Sequence, residues 1–123
     1  LFVEGVGRPD LRNNAKEFAG DLYDTLHEKL LTLPNDTIIL PAHHGEQTVS
    51  KNDTYHTTIK EAKNQPILEL SHNFFIEKVV GMTLPRPMNY EKIIQINKSS
   101  QPVPNLEFAN LEIGPIRCAM PAT

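Results

Sequence analysis

Residues 37–45 read Thr-Ile-Ile-Leu-Pro-Ala-His-His-Gly, and this stretch decides the predicted fold. The apolar run at 38–40 is short and uninterrupted, which predicts a fully buried strand of a parallel sheet. Pro41 should end the strand because it cannot donate a ladder hydrogen bond. His43 and His44 follow at the carboxyl end of this strand, where ligands gather in open α/β sheets. The histidine pair is therefore the best functional signal in the chain.

Two interpretations of the pair stay open at this point. Histidine is a common metal ligand, so one of the two imidazoles binds a metal in the first interpretation. In the second, they are capping or core histidines held by backbone hydrogen bonds. His56 and His72 lie far from the pair in sequence and are predicted to be exposed or capping residues. Tyr23 and His27, four residues apart on a predicted helix, are expected to form a surface pair.

The residues before this stretch predict a strand and a helix. The apolar triplet at 1–3 looks like the end of a strand. Over residues 14–33 apolar side chains recur every three or four positions, which indicates an amphipathic helix. Asn14 and Glu17 fit a capping box at its start. Strand, helix and strand in this order predict a βαβ core over residues 1–45, with a right-handed crossover.

Arg8 lies in the glycine-rich loop between the first strand and the helix. Its planar guanidinium fits carboxylates, and again two interpretations are open. Arg8 either forms a structural ion pair with Asp10 or Glu4, or binds an anionic substrate at the same sheet edge as His43.

The rest of the chain predicts helices and then an irregular tail. Residues 46–97 form a helical segment in which Ser71 caps one helix and Asn89 precedes another. Prolines cluster between positions 85 and 121, so residues 98–123 are expected to be irregular.

The bulk composition excludes some classes of function. The chain has 123 residues, enough for one domain, and 12 Lys and Arg against 15 Asp and Glu give a net charge of −3. No basic patch points to nucleic acid, and no apolar run approaches the roughly 20 residues of a membrane helix. Cys118 is the single cysteine, and no segment looks like a signal peptide. These features favour a reducing, cytoplasmic location.

Several segments resemble one enzyme superfamily. Residues 1–10, Leu-Phe-Val-Glu-Gly-Val-Gly-Arg-Pro-Asp, resemble the segment after the bridging-aspartate motif of metallo-β-lactamase-fold enzymes. The helix at 22–30, the Leu-Pro that follows, and Ile-Leu-Pro-Ala-His at 39–43 are similar to the same enzymes. The resemblance is to the persulfide dioxygenase branch, related to glyoxalase II, and covers residues 1 to about 97.

The resemblance implies an α/β fold, with residues 1–123 as the C-terminal half of a four-layer αβ/βα sandwich. Its metal site lies along one edge. His43 matches the last histidine of the metal set, and Arg8 matches a position that holds the glutathione part of the substrate or orders the loop. Asp10 matches a neighbouring structural acid. His44 replaces an acidic or small residue and would act beside the site.

The sequence also departs from the superfamily pattern. The His-x-His-x-Asp-His motif, the middle histidine and the bridging aspartate are absent from these residues. Of the metal set only His43 remains, so Fe(II) or Zn(II) would need ligands upstream of Leu1. We therefore expect the C-terminal part of a longer protein, inactive alone, whose partner is the N-terminal half of the same domain.

Three functions follow from these observations. In the first, the chain is part of a metal-dependent persulfide dioxygenase that oxidises glutathione persulfide or a related low-molecular-weight persulfide. The second is part of a dinuclear thioester hydrolase of the glyoxalase II type, with a metal-bound hydroxide as nucleophile. The third is a non-catalytic interaction fragment. In either enzyme, the ligand is a small thiol derivative. Whether the chain forms a homo-oligomer is left open.

Overall fold

The computed structural model describes residues 1–11, 13–45, 48–82, 85–99, 102, 105–111 and 119–120. Cys118 lies outside them. The described residues fall into two compact units, a larger one within Leu1–Met82 and Cys118–Thr123, and a smaller one within Thr83–Arg117.

Short strands and helices make up the larger unit. In chain order they are β1 (Val6–Gly7), α1 (Ala15–Asp24), a π-helical continuation of α1 (Thr25–Leu30), β2 (Ile38–Ile39), β3 (Thr57–Thr58), α2 (Ile59–Ala62), a 3-10 turn (Pro66–Leu68), α3 (His72–Gly81) and, after the smaller unit, β4 (Ala119–Met120). The smaller unit contains α4 (Tyr90–Lys98) and α5 (Asn105–Leu111).

The described strands form two antiparallel pairs. In one, β1 pairs with β4, so that Val6 lies opposite Met120. In the other, β2 pairs with β3, so that Ile39 lies opposite Thr57. Strands β1 and β2 thus lie in different sheets. They do not form the parallel βαβ core that was predicted for residues 1–45. A tight turn at 51–54 reverses the chain before β3, which explains the antiparallel pairing with β2.

Helices α1 and α3 pack together and form the main core. The periodicity over residues 14–33 correctly predicted a helix, which ends at Leu30 after six residues of π-helix. The α3 helix begins after Ser71 and ends at Gly81, also as predicted. The core side chains contributed by these helices are Ala19, Leu26, Phe75, Ile76 and Val79, all less than 9% exposed.

Helix capping differs from the prediction. No side chain caps the backbone of α1; instead the Asn14 amide donates to Oε2 of Glu17 at 2.9 Å. Ser71 likewise makes no cap hydrogen bond. The complete capping box is on α2, where Thr58 Oγ1 accepts from the Glu61 N–H and Glu61 Oε2 accepts from the Thr58 N–H. A Thr-x-x-Glu pattern is the known signature of this motif.

The prediction of a buried β2 strand was wrong. Ile38 is 63% exposed and Leu40 is 76% exposed, while Ile39 on the opposite side is half-buried. Side chains alternate between the two faces of a strand, so Ile38 and Leu40 share one face. No layer from the described part of the chain covers that face.

The smaller unit contains a helix within the predicted irregular tail. Helix α5 occupies residues 105–111, and the Asn89 amide donates to the carbonyl oxygens of Asn110 and Leu111 at its end, at 3.1 and 3.2 Å. The prolines of the sequence flank this helix instead of interrupting it, so they do not remove its hydrogen bonds. None of the described helices has the length and apolar character needed to span a membrane.

Candidate functional site

The two predicted site histidines follow β2 but have different surroundings. The exposed His44 ring stacks on Tyr55, with 3.5 Å between ring centroids and 13° between planes, and its Nδ1 lies 3.1 Å from the Gly45 oxygen. His43 is also exposed, and no hydrogen bond or ring stacking joins its imidazole to the described residues. His44 is therefore engaged in a local ring contact, whereas the His43 imidazole faces solvent.

A buried threonine holds the loop that carries these histidines. The Gly45 N–H donates to Thr48 Oγ1 at 3.1 Å, and the Thr48 N–H donates to the Gly45 oxygen at 3.1 Å. The Thr48 hydroxyl donates in turn to Oε2 of Glu4 at 3.0 Å. Thr48 is only 7% exposed. The loop is thus fastened to the N-terminal segment.

A second buried polar side chain, Gln65, fixes the same segment. Its Oε1 accepts from the Gly5 N–H at 2.7 Å, and its Nε2 donates to the carbonyl oxygens of Phe2 and Val3, at 3.2 Å each. Gly5 has a φ of 105°, a conformation that favours glycine. The predicted strand end at residues 1–3 is instead a loop held by this side chain.

Arg8 and Asp10 form a two-point ion pair. Nε of Arg8 lies 2.7 Å from Oδ1 of Asp10, and Nη2 lies 2.5 Å from Oδ2. The Arg8 side chain is 2% exposed and that of Asp10 is 19% exposed. Of the two structural partners considered for Arg8, the geometry selects Asp10, whose two carboxylate oxygens both accept from the guanidinium. The pair braces the loop between β1 and α1.

A cluster of aromatic rings lies between α1 and α3. Tyr23 stacks on His27 at 4.0 Å and meets His72 and Phe75 edge-on at 5.0 and 5.3 Å. His27 Nε2 is buried without a hydrogen-bond partner in the described part of the chain. Burial lowers the pKa of His27, and the charge of Asp24 partly opposes this shift. The predicted surface pair of Tyr23 and His27 is therefore a half-buried part of the helix interface.

The start of α2 carries a charged cluster that the sequence interpretation missed. Lys51 Nζ lies 2.6 Å from Oε1 of Glu61, and Oε2 of Glu61 accepts from the Thr57 hydroxyl at 3.0 Å. The hydrogen bonds from Lys51, Thr57 and the Thr58 backbone lower the pKa of Glu61 to about 2. This cluster stabilises a helix start and has no feature of a ligand site. His56, two residues from Thr54, lies 2.9 Å from its hydroxyl.

The described residues do not make a metal site by themselves. Within those ranges no three His, Cys, Asp or Glu side chains come close enough together to hold a metal ion. A catalytic zinc site takes about three protein ligands. His43 is a single exposed imidazole, and the His44 ring is stacked on Tyr55. This donor set does not fit a resident metal without ligands from elsewhere.

Comparison with curated proteins relates the chain to known enzymes. Over 99 residues, 79% of the chain, it is 35% identical to "Persulfide dioxygenase ETHE1, mitochondrial" of Homo sapiens, and it covers 35% of that protein. The chain is persulfide dioxygenase-like, within the metallo-β-lactamase superfamily. The predicted resemblance to the persulfide dioxygenase branch is confirmed. The mouse protein of the same name is also 35% identical over 99 residues, with the same coverage.

This persulfide dioxygenase-like chain also matches "Probable metallo-hydrolase YqgX" of Bacillus subtilis. The identity is 45% over 49 residues, which are 40% of the chain and 22% of that protein. The chain spans about a third of the length of the persulfide dioxygenases it matches. No family model and no solved structure matches it. Its helices and small sheets agree with an α/β class.

Proposed function

We propose that this chain is the C-terminal part of a metal-dependent persulfide dioxygenase that oxidises glutathione persulfide or a related low-molecular-weight persulfide. The observation that carries the proposal is the identity of 35% over 79% of the chain to proteins named persulfide dioxygenase. The chain provides about a third of such a protein's length, so we propose that this part alone is inactive.

The proposed enzyme domain is a four-layer αβ/βα sandwich of which this chain is the C-terminal half. The exposed apolar face of Ile38 and Leu40 supports this architecture, since a layer from the other half would bury it. Burying a leucine-sized side chain is worth about 1.5–3 kcal/mol. The partner of this chain is accordingly the N-terminal half of the same domain, and no nucleic acid or membrane is proposed.

His43 is the residue of this chain that we propose for the metal site. Its exposed ring makes no hydrogen bond or ring stacking with the described residues, which supports this role, whereas the His44 ring stacks on Tyr55. Iron is the proposed metal, and its remaining ligands would come from outside these residues. His43 acts as a ligand in a dinuclear site or as a neighbour of a mononuclear one.

Arg8 has two proposed roles that experiment can separate. Its ion pair with Asp10 and its burial support a role in ordering the loop. The substrate-binding role requires that a carboxylate of the thiol carrier reach the guanidinium beside Asp10. In that case, replacing Arg8 by Ala would raise the Michaelis constant for an anionic substrate, whereas an unchanged Michaelis constant would support the role in ordering the loop.

A dinuclear thioester hydrolase of the glyoxalase II type is the second candidate. The observation that favours it is the match of 45% over 49 residues to a protein named as a probable metallo-hydrolase. Zinc would be the expected metal of such an enzyme, and His43 would be a ligand.

Metal counting and oxygen uptake on the full-length gene product test these candidates. About one iron per chain, with oxygen uptake on glutathione persulfide, is expected. Two metals per chain with thioester cleavage and no oxygen uptake would overturn the dioxygenase in favour of the hydrolase. If the gene product shows neither activity and binds no metal, the non-catalytic interaction fragment is the function that remains.

His43→Ala then separates the two roles of this histidine. Loss of bound metal identifies a ligand, whereas intact metal with altered turnover identifies a neighbour. We also propose a cytoplasmic location, which fractionation of cells expressing the gene product would test; recovery in an organelle would refute it. A homo-oligomer would appear as a multiple of the chain mass in sedimentation.

A further inference from the structure

Thr48 uses both hydrogen-bonding functions of its hydroxyl. The oxygen accepts from the Gly45 N–H, and the proton goes to the carboxylate of Glu4. A threonine hydroxyl has one proton, so donation to Glu4 leaves the oxygen lone pairs for Gly45. Thr48 is also one of the few polar residues of the core, at 7% exposure. Polar groups that are buried and fully bonded specify one arrangement of the chain around them.

The contact joins two segments that are far apart in sequence. Glu4 and Thr48 are 44 residues apart. Gly45 comes two residues after His43, whereas Glu4 and Gly5 lead directly to Arg8. The two loops that carry the predicted site residues are therefore linked through a single hydroxyl.

We propose that Thr48 is a positioning residue, whose link to Glu4 sets the place of the loop from His43 to Gly45 against the N-terminal segment. The inference concerns the same site as the proposed function and rests on it for the role of His43. The backbone bond from Thr48 to Gly45 already closes the local turn. A purely local role would therefore not require Glu4.

Hydrogen exchange at labelled glycines measures the link directly. Selective ¹⁵N-glycine labelling of the full-length gene product restricts the signals to glycines, six of which lie in this chain. Thr48→Val keeps the shape of the side chain and removes the hydroxyl. The Gly45 amide should then exchange about tenfold faster, the factor expected when one partly buried hydrogen bond is lost. Thr48→Ser should restore the slow exchange.

Two other glycines serve as internal controls. Gly20, within α1, should exchange at an unchanged rate, because it reports the stability of the whole unit. Gly5, which donates to Gln65, should also be unchanged in Thr48→Val. Gln65→Met is the matched variant, for which Gly5 should exchange faster and Gly45 should change less.

The Glu4 partner supplies the decisive comparison. Glu4→Ala should also accelerate Gly45, and it should add little in the Thr48→Val background, because the two residues act through one link. Unchanged Gly45 exchange in Thr48→Val would overturn the proposal, as would equal acceleration at Gly20 or strict additivity of the two substitutions.

Enzyme turnover tests the proposed function separately. Persulfide turnover should fall several-fold in Thr48→Val and recover in Thr48→Ser, with the Michaelis constant nearly unchanged. Turnover that stays at the wild-type level, despite faster Gly45 exchange, would show that the link does not serve the site. If the wild-type protein does not oxidise persulfide at all, the proposed function fails, and Gly45 exchange still decides whether the link exists.

Discussion

The Arg8–Asp10 pair shows how burial changes the value of a charge contact. An exposed ion pair contributes about 0–1 kcal/mol, because water screens it and ordering the side chains costs entropy. Here the arginine side chain is 2% exposed and meets the carboxylate at two points. Removing one partner from such a pair leaves the other charge poorly solvated.

Replacing Arg8 by Ala should lower the free energy of unfolding by about 3–5 kcal/mol, because the Asp10 carboxylate loses both hydrogen bonds from the buried guanidinium. Urea unfolding of the gene product measures this. Arg86→Ala is the control, since Arg86 is exposed and donates to the Tyr90 hydroxyl; it should cost about 0.5 kcal/mol or less. Equal effects of the two substitutions would show that the Arg8 pair does not brace the fold.

His27 makes the stability of the chain depend on pH. Its pKa in the folded chain lies below the ordinary 6.5, mainly because of burial. Between these two pKa values the unfolded state binds more protons, so protonation favours unfolding. The contribution of neutral His27 to the free energy of unfolding is therefore complete above pH 6.5. It is lost as the pH falls below 6.5.

Urea midpoints measured between pH 5 and 8 test this behaviour. The wild-type midpoint should fall on acidification by more than that of His27→Phe, which keeps a ring against Tyr23 and removes the titration. The difference between the two proteins isolates His27 from the other histidines. Parallel midpoint curves for both proteins would contradict the prediction.

At the scale of helices, the observed capping bonds favour Thr58 over Ser71. Thr58→Ala should cost about 1 kcal/mol, because the Glu61 backbone N–H loses its side-chain acceptor, Thr58 Oγ1, at the start of α2. Ser71→Ala should cost less than about 0.5 kcal/mol, since Ser71 makes no cap hydrogen bond. Urea unfolding of both variants checks the order, and a larger cost for Ser71→Ala would reverse the assignment.

The sequence predicted the elements whose signals are local. The periodicity of residues 14–33 and the boundaries Ser71 and Gly81 are readable because they depend on neighbours within one or two turns. Thr48 and Gln65 were missed because their partners lie 44 and at least 60 residues away. The capping box of α2 was readable from Thr-x-x-Glu and was overlooked.

The surroundings of the predicted site residues depend on contacts that the local sequence does not show. Arg8 and Asp10 form the ion pair that the sequence allowed, but nothing local shows that the arginine side chain is buried. The apolar run at 38–40 indicated a buried strand, but Ile38 and Leu40 are exposed. Burial depends on the layers that cover a strand and not on the strand's sequence alone. The contrast between the engaged His44 and the open His43 depends on Tyr55, eleven residues further along the chain.

At the scale of the whole molecule, two exposed apolar side chains test the proposed four-layer fold. Leu40 and Phe74 are 76% and 65% exposed in this chain. If the other half of the domain covers β2, Leu40→Ala in the full-length gene product should cost about 2–5 kcal/mol. Phe74→Ala, on α3, should cost about 0.5 kcal/mol or less. Equal small costs in urea unfolding would argue against a covering layer.

The pairing of β1 with β4 affects how the chain folds during its synthesis. Val6, fully buried, lies opposite Met120, and the whole smaller unit is encoded between them. Helices α1 and α3 can form as soon as they leave the ribosome, because their contacts are closer in sequence. The β1 backbone must wait until residues 119 and 120 have been translated. Translation arrested before β4 therefore leaves nascent chains with an open strand edge, which a chaperone would have to shield.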